Sequence, residues 1–334
     1  RARLGRVGCT DTICGLTGPQ ATFAAMSTPP TTLVELIDYG AANWPDLPML
    51  LSRQGDTATY GEYKDRVEAM AAGFANMGIG VGDVVSWILP TWVDTVVLAG
   101  ALARVGAVQN PIITIYRDRE VGFCCQQADA TLLITPGEFG GYDFGAMAER
   151  IAAAKPGLRT LIATPGNFPI ADPSSLPAFV PPAADRVRWL TYTSGTTADP
   201  KGARHTDQTV AAFPYALGQR LDVQAGDRYS LTFPFPHIGG LGLLFMALQT
   251  GCLHLLDETV DAVATIDFLS EHECTHAGTG TPFFLMYLAA QGRRTEAGQG
   301  PLFPTLKVCP GGGAPIPPAL HHRVVNELGG VGVC

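Results

Sequence analysis

Two kinds of segment alternate along this chain: short stretches of β-branched and aromatic residues, and longer stretches with small and apolar residues on one helical face. The short stretches predict strands at about 84–89, 107–110, 131–135, 160–163, 187–193, 229–232, 252–256, 275, 306–309 and 331–334. The longer stretches predict helices at about 32–42, 60–77, 92–105, 119–128, 144–154, 241–248, 260–271, 282–290 and 317–328, with a further helix from 205 or 206.

Because strands and helices follow each other in turn, the pattern predicts an α/β fold with two doubly wound, mainly parallel sheets and right-handed crossovers. Residues 166–184 contain five prolines and predict an irregular linker between subdomains at about 26–165 and 185–334. Residues 1–25 lack periodicity and are expected to be a disordered leader or upstream extension before a natural start at Met26; a transit peptide is the alternative.

The segment 192–202 carries the clearest chemical signal. It combines four hydroxyl side chains with a glycine and a lysine, namely Thr193, Ser194, Gly195, Thr196, Thr197 and Lys201. Glycine lets backbone N–H groups approach phosphate oxygens, hydroxyls donate further hydrogen bonds, and lysine adds a positive charge. With a strand before it and a helix capped by Thr206 or Asp207 after it, the segment is predicted to bind a polyphosphate in a strand-to-helix loop.

This segment differs from the common phosphate-binding loop, G-x-x-x-x-G-K-[ST]. Gly195 and Lys201 keep that spacing, but Pro200 replaces the second glycine and Gly202 replaces the final hydroxyl. The string resembles instead the phosphate-binding signature of the acyl-CoA synthetase or adenylate-forming superfamily, which usually has glycine where this chain has Ala198. A plain Ser/Thr/Gly surface loop is the alternative. The resemblance implies an AMP-binding N-terminal domain in which Lys201 and the hydroxyls hold the leaving pyrophosphate.

A second string, residues 233–241, resembles the Pro-x-x-His-x-x-Gly segment that lies beside the acyl pocket in the same family. The resemblance implies substrate contacts from His237 and Gly239; a core histidine at a strand end is the alternative. The chain has no acidic residue at this point to meet an amine. The acid is therefore expected to be a small-molecule carboxylic acid rather than an amino acid.

A third string ends the strand predicted at 306–309. The resemblance implies that it lines the adenine site, with contacts from Gly311, Gly312, Gly313, Ala314 and Pro315. Glycines here would let a flat ring lie directly on the backbone. A simple Gly-Pro turn is the alternative interpretation.

Composition excludes several other classes of protein. The net charge of −8 argues against a nucleic-acid partner. Residues 238–256 lack charge, but their glycines favour a buried helix and strand over an integral membrane span. Eight irregularly spaced cysteines indicate reduced thiols in a cytoplasmic protein. The string His272-Glu273-Cys274-Thr275-His276 matches a zinc-protease pattern but is expected to cross a helix end, so no metal ligand is predicted.

The resemblance implies an ATP-dependent carboxylic acid–CoA ligase, with Mg²⁺ and with coenzyme A as co-substrate. It extends over about 32–334, but this chain stops before the family's Thr-Glu segment, ribose-binding aspartate and mobile C-terminal lysine domain. We therefore expect a truncated N-terminal portion with little full-turnover activity. A non-catalytic nucleotide-binding remnant or split-gene partner is the alternative, and assembly into a homo-oligomer is left open.

Overall fold

The computed structural model describes residues 29–183, 185–193, 199–312 and 315–329. These residues form an α/β fold, as the sequence predicted. The helices are α1 Leu33–Asn43, α2 Tyr60–Asn76, α3 Val93–Val105, α4 Asp118–Gln127, α5 Phe144–Ala154, α6 Asp207–Arg220, α7 Ile238–Thr250, α8 Ala264–Glu271, α9 Thr281–Glu296 and α10 Pro318–Leu328. The strands are β1 Pro48–Ser52, β2 Thr57–Thr59, β3 Val84–Trp87, β4 Val108–Pro111, β5 Leu132–Thr135, β6 Glu138–Phe139, β7 Tyr142–Asp143, β8 Arg159–Ile162, β9 Trp189–Thr193, β10 Lys201–His205, β11 Arg228–Leu231 and β12 Leu253–Leu256.

The larger sheet has six strands in the order β10-β9-β4-β3-β5-β8. Its strands are parallel except for β10, which runs antiparallel to β9 at the edge. The central strands β3, β4 and β5 are almost wholly buried, and they are covered by helices that carry no polar face over much of their length, such as α3. This is the pattern expected of a parallel sheet that is buried on both sides.

The second sheet has four strands in the order β11-β12-β1-β2, and only the β1–β2 pair is antiparallel. Beyond β11 the sheet continues as single bridged residues, since Tyr229 pairs with His276 and His276 pairs with Val308. The strands predicted near 275 and at 306–309 are therefore reduced to isolated bridges among the described residues. The strand predicted at 331–334 lies outside the described residues, as does the predicted leader.

Sheet membership does not follow the subdomain boundaries expected at about 165 and 185. Strands β1 and β2, from the first half of the chain, belong to the same sheet as β11 and β12. Strands β9 and β10, from the second half, complete the sheet built on β3, β4 and β5. The two sheets are thus interleaved in sequence, because each takes strands from both sides of the proline-rich segment.

The described residues of the proline-rich segment, 166–183, contain one 3₁₀ turn, Pro173–Ser175, and otherwise no regular structure, as predicted. It is nevertheless held against the protein. The N–H of Ala171 donates to Ala69 O, and a Cβ at Gly73 would lie only 2.2 Å from Pro169 O. Because residue 73 is a glycine, the proline-rich segment can lie directly on α2. The segment is therefore packed against the protein rather than being a free linker, and we call it the proline-rich strap.

The charge-free segment 238–256 forms α7, a glycine turn and β12, as expected. Gly251 ends the helix in the left-handed conformation, with φ of 80°. Ten residues of α7 are buried within the protein, which explains why the helix is apolar on every side. In the part of the chain that the structure describes, no helix has the length and hydropathy needed to cross a membrane.

Candidate functional site

The predicted phosphate loop closes a β-hairpin. Strands β9 and β10 pair antiparallel, with Thr193 opposite Lys201, and the Thr193 hydroxyl donates to Lys201 O over 3.5 Å. The sequence predicted a loop between a strand and a helix, and this is wrong: β10 intervenes, and α6 begins only at Asp207 with Thr206 as its N-cap. The edge strand went unpredicted because its five residues are mostly exposed and lack an apolar alternation.

Two of the predicted phosphate ligands are therefore located in the structure. Thr193 and Lys201 are both exposed and stand at the end of the hairpin where the two strands are connected, one on each strand. Residues directly opposite each other in a β-pair project to the same face, so the hydroxyl and the ammonium group share one side. Ser194, Gly195, Thr196 and Thr197 lie outside the described residues.

Tyr192 and Gly202 pack against each other across the two strands of the hairpin. They are opposite each other, and a Cβ on Gly202 would lie 3.1 Å from the Tyr192 ring. Burial, with a smaller contribution from Cys124, raises the pKa of Tyr192 to about 12. The glycine at 202, which replaces the hydroxyl of the common phosphate loop, thus accommodates an aromatic ring from the neighbouring strand.

His237 is exposed, not in the core, and forms the N-cap of α7. Its Nδ1 accepts a hydrogen bond from Gly239 N–H over 3.1 Å, and its ring packs edge-on against Phe233. Since Nδ1 accepts, a neutral imidazole carries its proton on Nε2. Desolvation lowers the pKa of His237, which also favours the neutral form. The ring can therefore offer an Nε2–H donor outward while Nδ1 starts the helix.

The segment that carries His237 is tied to the larger sheet. The Thr91 hydroxyl, just beyond β3, donates to Phe233 O over 3.1 Å and accepts from Phe235 N–H over 3.0 Å. Phe235 also stacks on Trp87, with ring centroids 6.0 Å apart. Nothing in the sequence indicated this role for Thr91. Its partners are backbone groups about 140 residues away, and only the tertiary structure brings them together.

The third predicted segment lies at the end of the second sheet. Gly311 bridges Thr279, and Gly312 N–H donates to Thr279 O over 3.3 Å. A Cβ on Gly311 would lie 2.4 Å from Ile316 Cδ1 and 3.1 Å from the Phe284 ring, so a larger residue here would have to displace these side chains. Gly312 has open space above it and Pro315 is exposed. Gly313 and Ala314 lie outside the described residues.

All three segments stand at the carboxyl ends of parallel strands. Thr193 ends β9, which is separated from β3 by β4 alone, so it lies about 10 Å from the β3 end by ordinary strand spacing. Gly311 lies beyond Val308, two strand positions from β11. The segment with His237 follows β11 and contacts the end of β3 through Thr91. Ligands of open α/β sheets bind outside these carboxyl ends. Among the described residues, no hydrogen bond directly joins the three segments.

The zinc-protease string does not lie on one helix. His272 is the C-cap of α8, whereas His276 is bridged into the second sheet and stacks on Tyr229. Two histidines of that pattern must lie one turn apart on a continuous helix to share a metal. The described cysteines are buried free thiols, namely Cys124, Cys125, Cys252, Cys274 and Cys309.

Comparison with known proteins agrees with this geometry. The family model described as AMP-binding enzyme matches residues 37–334. A sulfoacetate–CoA ligase from Cupriavidus necator is 29% identical over 309 residues, which cover 90% of this chain and 58% of that protein. A feruloyl-CoA synthase from an Amycolatopsis species is 28% identical, over 87% of this chain and 57% of that protein. The chain therefore spans a little under three fifths of the length of these relatives.

Solved structures share the fold. A long-chain fatty acid–CoA ligase from Archaeoglobus fulgidus superposes with a TM-score of 0.77 at 20% identity, over 90% of this chain and 61% of that chain. A fatty acyl-CoA synthetase from Mycobacterium tuberculosis gives a TM-score of 0.73 at 22% identity, over 90% of this chain and 58% of that chain. With the family model matched over nearly the whole described chain, this protein belongs to the AMP-binding, adenylate-forming enzyme family.

Proposed function

We propose that this chain is the larger, N-terminal part of an ATP-dependent carboxylic acid–CoA ligase. In the first step a carboxylate oxygen of the acid attacks the α-phosphorus of ATP, and the bond to pyrophosphate breaks. In the second step the thiol of coenzyme A attacks the acyl-adenylate, and AMP leaves. The observation that carries this proposal is the pair of Thr193 and Lys201 at the connected end of a hairpin on the carboxyl edge of the sheet.

The protein's contribution to such a reaction is positioning and charge neutralisation. We assign Lys201 to the β- and γ-phosphates, with Thr193 and the hydroxyls at 194, 196 and 197 completing the cradle. We assign residues 311–315 to the adenine ring, because Gly312 leaves open space over its backbone. His237 and Gly239 stand beside the acid, where the outward Nε2–H of the imidazole can donate to it.

Magnesium would arrive on the polyphosphate oxygens, since this ion keeps several waters and takes few protein ligands. The described residues contain no group of three or more His, Cys, Asp and Glu side chains suited to a metal ion. A cytoplasmic location belongs to the same proposal.

The test is acid-dependent exchange of labelled pyrophosphate into ATP, measured over a panel of short, aromatic and fatty acids. We expect Lys201→Ala to lower exchange by roughly tenfold or more, because a charged contact to the developing pyrophosphate is lost. Lys64→Ala is the matched control, since Lys64 is an exposed lysine on α2 that pairs with Asp38. Equal exchange in the Lys201 variant and the wild type would overturn the assignment.

The alternative is a chain that binds nucleotide without activating an acid. It would show ATP binding by calorimetry that depends on Lys201, with no exchange for any acid in the panel. Such a result would favour the role of a split partner that needs a further chain for chemistry.

A further inference from the structure

Beside the phosphate hairpin lies an arginine that the family resemblance did not assign. Arg119 is in the first turn of α4, and its guanidinium pairs with Asp199 over 3.3 Å. Asp199 is the first described residue after the loop and precedes Lys201 by two positions. The pair therefore joins α4 to the same end of the hairpin at which Thr193 and Lys201 stand.

Asp199 and Lys201 are both exposed at the start of the second hairpin leg, with the buried Pro200 between them. Because Arg119 pairs with Asp199, its guanidinium lies at this solvent-exposed start of the leg, two residues before Lys201 in sequence.

The ion pair between Arg119 and Asp199 is weak by its geometry. One nitrogen meets one oxygen, and the two side chains are 78% and 59% exposed. Exposed single-contact pairs contribute little, whereas arginine binds phosphate through two parallel hydrogen bonds. A polyphosphate therefore competes well with the Asp199 carboxylate for this guanidinium.

Two other arginines of this region, Arg150 and Arg117, already make closer contacts. Arg150 donates to both oxygens of Asp118, over 2.6 and 3.1 Å. Arg117 lies 4.3 Å above the centre of the Tyr142 ring. In a protein with a net charge of −8, an anionic ligand depends on local positive groups. Arg119 is thus more easily released to a ligand than Arg117 or Arg150.

We propose that Arg119 is a second cationic ligand of the ATP polyphosphate and that Asp199 occupies its guanidinium when no nucleotide is bound. On binding, the β- and γ-phosphate oxygens replace the carboxylate, so that Arg119 and Lys201 hold the polyphosphate from two sides. This inference rests on the proposed function, since it names a further residue of the same nucleotide site.

The test compares the binding of ATP and of AMP to the full chain by calorimetry. Arg119→Ala is expected to weaken ATP binding about fivefold or more while AMP binding is unchanged, because AMP lacks the phosphates that the arginine would contact. Asp199→Ala is expected to keep or increase ATP affinity, since it removes the competing carboxylate. Arg66→Ala is the control, because Arg66 is a half-exposed arginine on α2 that pairs with Asp56 and donates to Thr57 O.

The outcomes separate this inference from the proposed function. Normal ATP affinity in Arg119→Ala, together with a loss in Lys201→Ala, overturns the role of Arg119 and leaves the nucleotide site in place. Weaker ATP binding in Asp199→Ala shows that the pair is a structural tether and also overturns the inference. A wild-type chain that binds neither ATP nor AMP overturns both proposals.

Discussion

The Thr91 hydroxyl and the Phe235 backbone N–H are 3.0 Å apart, although 144 residues separate them in sequence. The same hydroxyl donates to Phe233 O, so one buried side chain satisfies an N–H and a C=O of the segment that precedes α7. Thr91 follows β3, and the segment follows β11. The contact therefore fixes the carboxyl edges of the two sheets against each other beside His237.

We predict that Thr91→Val destabilises the protein. Valine keeps the shape but leaves the C=O of Phe233 and the N–H of Phe235 without their partner, which costs about 1–3 kcal/mol. Urea denaturation measures the loss in the free energy of unfolding, with Thr160→Val on exposed β8 as the control. Equal stability of the Thr91 variant and the wild type would show that water replaces the hydroxyl.

Gly240 and Gly292 give a matched pair of glycines inside helices. A Cβ on Gly240 would lie 2.4 Å from Phe235 O and 2.7 Å from Phe235 Cα, whereas Gly292 has nothing within 4 Å. We predict that Gly240→Ala loses about 1–3 kcal/mol through overpacking against the backbone. Gly292→Ala should gain about 0.5–1 kcal/mol, because alanine reduces the entropy of the unfolded chain. Thermal unfolding of both variants checks the sign, and a stabilised Gly240→Ala would contradict the described contact.

His237 combines a structural role with a proposed role toward the acid, and two substitutions separate them. We predict that His237→Ala loses about 0.5–2 kcal/mol of stability, because the N-cap acceptor for Gly239 N–H is removed. His237→Asn should recover most of that stability, since asparagine caps well. If the ring contacts the acid, both variants raise the KM for the acid in pyrophosphate exchange. An Asn variant with normal kinetics would leave His237 with capping alone.

His254 predicts a pH dependence of stability. Its Nε2–H donates to Leu243 O over 2.7 Å, and burial lowers its pKa to about 4. An unfolded histidine titrates near 6.5, so below that pH the unfolded state binds more protons and stability falls until the pH reaches about 4. Between pH 7.5 and 5 the loss from this residue is about 2 kcal/mol.

The variant that checks this is His254→Gln, which keeps an N–H donor but does not titrate. Between pH 7.5 and 5, its free energy of unfolding should fall by about 2 kcal/mol less than that of the wild type. The charge of His276 also lowers the pKa of His254, so this interaction belongs to the measured difference, whereas histidines distant from residue 254 contribute equally to both proteins. The same substitution at exposed His322 controls for the loss of one imidazole. If the free energy of unfolding depends on pH in the same way for His254→Gln and the wild type, the prediction is wrong.

Local patterns predicted much of the fold. The helix α5 has the bounds that its periodicity indicated, and α6 begins after Thr206 because this residue supplies a strong capping side chain. The phosphate segment was identified from its glycine, hydroxyl and lysine side chains, whereas the other two candidate segments were identified by their resemblance to the family. Their common position at carboxyl strand ends followed from the parallel order of the strands.

What failed depends on distant partners. Strand β1 has the short run 48–52 as its sequence signal, and it is a strand because β12 pairs with it from 200 residues away. Strand β10 exists because β9 provides its hydrogen-bond partners. Arg119 and Thr91 gained a role only from tertiary contacts with Asp199, Phe233 and Phe235. Patterns in a single sequence reflect local preferences, and they carry no information about contacts between residues that are distant in the sequence.

The interleaving of the two sheets determines when this protein can fold during its synthesis. A nascent chain that has released only its first half holds β1 and β2 as a lone hairpin, which is marginal in water, and has open edges where β9 and β12 belong. The two sheets can therefore be completed only after β12, near residue 256, has left the ribosome. Cleavage within the proline-rich strap would leave each fragment with two unfinished sheets, so the halves can regain a nucleotide site only by reassociating with each other.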